Sequence, residues 1–176
     1  RRGIPCVKVI GTTEIPNVPV VCIGRFVSQE LALTHLKELG HRDIGMVRTE
    51  YSKEADIAQV AGWGERFGLS IGGEYDVVCD EYKREMAYEG VMELLKHPDS
   101  PTALCCDDDF FALGARDAAR ELGLSVPDDI SIVGVGDYVP DADLTSVFLP
   151  VTEMGRQAAR VLIEQVCGSY DGAATV

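Results

Sequence analysis

The chain has 176 residues, 46% of them hydrophobic and 26% charged, with a formal net charge of −13. That length can bury one sizeable core or two small ones. No apolar run approaches the roughly 20 residues of a spanning helix, and the start, RRGIPCVKVI, lacks the apolar stretch and cleavage site of a secretory signal, so a soluble, cytoplasmic protein is expected. Acidity is concentrated after residue 50, where nine Lys/Arg stand against twenty-four Asp/Glu. Such a surface repels phosphate backbones, and the chain alone is not expected to bind DNA.

In chain order, VKVI (7–10) and VVCI (20–23) are short β-branched runs. Residues 29–39 place Ala32, Leu36 and Leu39 on one helical face, closed by Gly40. DIGMV (43–47) reads as a strand, and 56–67 as a helix with Ile57, Val60, Ala61 and Phe67 at helical spacing. YDVVC (75–79) is the next strand. The helix 83–96 turns Met86, Val91, Leu94 and Leu95 inward and cannot continue past Pro98. TALCC (102–106) is a strand, 110–122 a helix ended by Gly123, and ISIVGV (130–135) an uninterrupted apolar strand of the kind buried on both faces. Thr152 opens a last helix with Met154, Ala158, Val161, Leu162 and Gln165 in register. Strict alternation of strand and helix predicts an α/β fold with a doubly wound parallel sheet.

The six cysteines (Cys6, Cys22, Cys79, Cys105, Cys106, Cys167) lie mostly in apolar runs without CxxC spacing. They are expected to be reduced core residues. In parallel sheets ligands sit beyond the carboxyl ends of strands, and LCCDDDFF (104–111) is one such end. One aspartate there serves as a helix cap, favoured by the dipole and the unsatisfied N–H groups, but three exceed what a cap requires. No metal is expected, because His35, His41 and His97 lie elsewhere and adjacent carboxylates on a turn diverge. No GxSxG or HExxH motif occurs. Neither an enzyme nor a cofactor is expected.

The segments HLKELGHRDIGMV (35–47), PTALCCDDDFFALGARDAARELGLSVPDDISIVGV (101–135) and LTSVFLPVTEMGRQAARVLIEQV (144–166) resemble the effector-binding core of LacI/GalR-family transcriptional regulators. The resemblance is in order and covers nearly the whole chain. It implies a type I periplasmic-binding-protein-like fold, with 27–145 as the C-terminal effector-binding subdomain and 1–26 with 146–176 as part of the N-terminal subdomain. It also implies a longer regulator with an N-terminal DNA-binding headpiece absent from this chain, hence a truncated core. Its partners would be a small-molecule effector, a second copy in a homodimer, and operator DNA through that headpiece only. Effector binding would stabilise one closure angle of the core and so shift the headpieces. The alternative is a binding module without a headpiece, either a solute-binding receptor or a dimerisation scaffold that has lost its effector.

The resemblance assigns the effector-binding set Asp108, Tyr82, Gln59, Arg25 and Asp137. Asp108 falls where the family has an effector-binding Asn, and Tyr82 where an aromatic packs against sugars or bases; as an ordinary amphipathic tyrosine, Tyr82 could equally be a half-exposed helix cap. Gly24 and Arg25 replace an Asp-Asn pair, and Gln59, ahead of Gly62 and Trp63, replaces an effector-clamping Arg. The motif GVGD (134–137) leaves Gly136 where an effector-binding Asp is common and retains Asp137. Sugar specificity therefore does not carry over. Acceptor-only carboxylates without the clamping Arg disfavour anions and favour a neutral polyol or an amine-bearing cation stacked on Tyr82.

Overall fold

A computed structural model describes residues 4–9, 15–23, 26–50, 54–139 and 143–172; for 54–57, 60 and 61 it describes the backbone. The chain divides into two compact units, 1–27 with 150–176 and 28–149.

In the larger unit, helix α1 (Val27–Glu38) leads to β3 (Asp43–Thr49), α2 (Glu54–Phe67), β4 (Ser70–Cys79), α3 (Arg84–Leu94), β5 (Ala103–Cys106), α4 (Asp109–Glu121), β6 (Ser131–Gly136) and β7 (Thr145–Phe148). The strands form one five-stranded sheet in the order β4-β3-β5-β6-β7, parallel at every pairing. The chain moves one way from β3 to β4 and the other way from β5 onward. Right-handed crossovers then set α2 on one face and α3 with α4 on the other, giving the doubly wound arrangement. Its switch point lies between β3 and β5.

Side-chain alternation along the strands explains what each face holds. Val47, Val77, Leu104, Cys106 and Ile132 pack under α3 and α4 with Ala87, Val91, Phe111, Ala115 and Ala118. Gly114 lets the two helices approach closely, since a side chain there would collide with the Arg84 carbonyl. Met46, Arg48 and Asp76 alternate to the opposite face, where Arg48 and Asp76 form an ion pair at 2.7 Å. There α1 and α2 are joined by Glu30, which accepts from Trp63 Nε1 and Arg66 Nη1. At the amino edge His41 reaches Thr102 Oγ1 and Ser131 Oγ, both at 2.9 Å.

The smaller unit contains β1 (Lys8–Val9) and β2 (Val20–Val21), paired in parallel, and α5 (Val151–Cys167). Met154, Ala158 and Val161 of α5 pack on Val21. Gln165 accepts from the Cys6 N–H and donates to the Cys6 carbonyl, both at 3.1 Å.

Five points depart from the expectations. Leu39 is 61% exposed, because α1 ends at Glu38 and its buried face is Ala32, Leu33 and Leu36. Thr152 does not cap α5; Pro150 occupies the N-cap, a residue that fits a helix start because no N–H is needed there. Strand β4 begins at Ser70, ahead of YDVVC, because left-handed Gly72 and Gly73 absorb a register shift against β3. Strand β7 was not anticipated. Three of the six cysteines, Cys79, Cys105 and Cys106, are buried, whereas Cys6 and Cys167 are exposed.

Candidate functional site at the carboxyl edge of the 28–149 sheet

The three aspartates after β5 take three different environments. Asp107 donates its backbone N–H to the Val47 carbonyl at 2.9 Å and accepts from Gln29 Nε2 at 3.1 Å. Asp108 is the N-cap of α4, extended at φ −154° and ψ 152°, and accepts from Phe110 N–H at 2.7 Å. That satisfies one of the orphan donors at the helix start. Its second oxygen accepts the Tyr138 hydroxyl. Both donors on Asp108 are neutral. Asp109 is 1% exposed, accepting Ser146 Oγ–H at 2.6 Å and Tyr138 N–H at 3.2 Å.

Asp109 therefore belongs to the framework. A side chain at Gly134 would bring its Cβ to 2.5 Å from Asp109 Oδ1, so the glycine on β6 makes room for the carboxylate. Ser146 on β7 completes the link by accepting the Asp137 N–H at 3.1 Å. Asp137 itself has φ +54° and is exposed. This left-handed turn sends Tyr138 back across the strand end toward Asp108.

Tyr82, in the loop after β4, is 60% exposed and lies flat on buried Phe111 of α4, with centroids 5.2 Å apart and planes 3° from parallel. Thr49 Oγ1 at the end of β3 stands 3.5 Å from the Tyr82 hydroxyl. The Phe110 ring is tilted against Tyr138 at 6.0 Å. Burial, then the hydrogen bond to Asp108, hold the Tyr138 phenol well above its ordinary pKa. Beneath this edge burial raises the Cys79 thiol, assisted by the charges of Asp80 and Asp107; burial does the same for Cys106.

Of the residues expected from sequence, Asp108, Tyr82 and Asp137 lie on loops at this carboxyl edge. Gln59 is an exposed residue of α2, and no hydrogen bond joins it to Asp108 or Tyr82 among the described residues. Arg25 lies outside the described residues. Sequence reasoning did not place Tyr138 or Asp109 in the effector-binding set. The glycine at 136 was the available signal, since any side chain there would strike the Tyr138 ring.

A family model for the periplasmic binding protein-like domain matches residues 33–175. The HTH-type transcriptional repressor PurR of Haemophilus influenzae (strain PittEE) is 34% identical over 165 residues, covering 89% of this chain and 48% of the repressor. The HTH-type transcriptional regulator reg1 of Streptomyces lividans is 32% identical over 179 residues, covering 96% of this chain and 51% of that protein. A solved regulatory protein of the LacI family from Chloroflexus aggregans matches with a TM-score of 0.84 and 25% identity, over 98% of this chain and 64% of that one. The chain spans about half the length of the curated relatives it matches.

Proposed function

The chain belongs to the periplasmic binding protein-like domain family, in the form found in LacI/GalR-type regulators, and from that premise we propose that it is the effector-sensing core of a DNA-binding transcriptional repressor. The observation that carries this is the cluster at the sheet's carboxyl edge, where Asp108 caps α4 and the 60% exposed Tyr82 stacks on Phe111 of the same helix. Parallel sheets bind ligands there because helix N-termini and loops converge on that side. Asp108, Tyr82 and Asp137 are the proposed effector contacts, with Gln59 and Arg25 as further family-aligned positions.

The site favours donors. Asp108 is acceptor-only, Asp107 adjoins it, and the clamping Arg of the family is replaced by exposed Gln59. A neutral polyol or an amine-bearing cation fits such a surface, and phosphorylated sugars do not. Effector binding acts by differential affinity for two conformers of the regulator, which shifts the occupancy of operator DNA. In the full-length regulator DNA contact comes from a headpiece outside this sequence, since this chain carries −13 net charge. No described helix is long and apolar enough to cross a membrane.

The test is a gel-shift assay of the full-length regulator on its own promoter, with and without polyols and amines. The expected result is sequence-specific retardation that one such compound changes, from a species that light scattering reports as a homodimer. A monomer that binds no specific DNA contradicts the proposal.

A further inference from the structure

We propose that Tyr138 is a built-in occupant of the effector site, and that the effector is an organic cation that displaces its phenol from Asp108. This rests on the reading of Asp108 as the effector contact.

Several independent features converge on Tyr138. The left-handed backbone at Asp137 reverses the chain after β6, and Ser146 holds the turn through the Asp137 N–H. Buried Asp109 then binds the Tyr138 N–H, so the aspartate next to Asp108 in sequence fixes where the tyrosine starts. The ring lies over Gly136, whose missing side chain gives it space, and the Phe110 ring is tilted against it at 6.0 Å. The hydroxyl ends on Asp108 Oδ2. A conformation so closely supported is the resting state of the site. It places a neutral O–H donor on an aromatic ring where an external donor would bind.

The competition decides the ligand class. A polyol that took Asp108 would exchange one neutral O–H donor for another and lose the packing of the Tyr138 ring. A protonated amine, amidine or guanidinium supplies a charge-assisted bond, roughly twice as strong as a neutral one. A flat cationic group also gains from the exposed face of Tyr82. Tyr138 thus sets specificity by raising the threshold that a ligand donor must exceed.

The experiment uses the full-length protein with 13C-labelled tyrosine, titrated with p-aminobenzamidine, a cation on a flat ring, and with myo-inositol, a neutral polyol. The cation is expected to shift the Tyr138 resonance and to bind Tyr138→Phe about three- to tenfold more tightly than the wild type, the worth of one net hydrogen bond. Asp108→Asn is expected to weaken it roughly tenfold or more. Without ligand, Asp108→Asn is expected to lower the titration point of the Tyr138 phenol. An unchanged phenol titration, a Tyr138 signal indifferent to millimolar cation, or equal affinity for wild type and Tyr138→Phe overturns the proposal. Inositol binding that depends on Asp108 overturns it too but leaves the effector site standing, whereas cation binding indifferent to both substitutions overturns both readings.

Discussion

Tyr82 stacks on Phe111 with ring planes 3° from parallel, so an exposed residue of the proposed site rests directly on the hydrophobic core. The two substitutions separate site from scaffold. Phe111→Ala removes a fully buried ring and is expected to destabilise by about 3–5 kcal/mol in urea unfolding. Tyr82→Ala loses mainly the stacking, about 0.5–1.5 kcal/mol. Equal losses would show that the two rings do not divide the work in this way.

The three consecutive aspartates are expected to rank by environment. Asp109→Ala leaves the Ser146 hydroxyl and the Tyr138 N–H without their buried acceptor and is expected to be the most harmful, about 2–3 kcal/mol. Asp108→Ala removes a helix cap and the exposed acceptor of the Tyr138 hydroxyl, about 1–2 kcal/mol. Asp107→Ala loses the half-exposed bond from Gln29 and stays within about 1 kcal/mol. Chemical denaturation of the three variants checks the order.

Much of this was legible in the sequence. The uninterrupted run ISIVGV announced a strand buried on both faces, and all of β6 is buried. The aspartate run marked a strand end, because carboxylates cluster where helix dipoles begin. Strand β7 escaped notice because TSVF is short and half exposed; its pairing with β6 comes from the partner strand, which single-sequence periodicity does not register. The meeting of Tyr138 and Asp108 escaped for a related reason. It depends on a left-handed Asp137 and on Ser146, whose tertiary placement no local pattern encodes. Leu39 misled because its spacing was helical while the helix had already ended.

His41 couples stability to pH. Its imidazole bridges Thr102 and Ser131, and burial lowers its pKa from the ordinary 6.5. The folded state therefore binds its proton less readily than the unfolded chain. The His41 contribution is full above the unfolded value and is lost as pH falls from there through the lowered folded value. Urea unfolding of wild type and His41→Asn at about pH 7.5 and about pH 5.5, on either side of the ordinary value, should show the gap between them narrowing at the lower pH. A constant gap would contradict the assignment.

The cysteines divide by burial. Cys105 and Cys106 are fully buried, and burial raises both thiols, so the thiolate needed for attack is scarce. Cys6 and Cys167 are exposed. Under native conditions a disulfide reagent is expected to label Cys6 and Cys167 rapidly, with Cys79, Cys105 and Cys106 reacting only on unfolding. Peptide mapping by mass spectrometry identifies them.

The central claim is that the carboxyl edge around Asp108 and Tyr82 receives the effector. Its most direct test is a thermal-shift screen of the full-length regulator against polyols, amines and phosphorylated sugars, repeated on Asp108→Ala and Tyr82→Ala. Ligand binding to the native state raises the melting temperature by mass action. The account predicts stabilisation by an amine or a polyol that both variants abolish while each variant remains folded. Stabilisation by a phosphorylated sugar, or a shift of equal size in both variants, would contradict it.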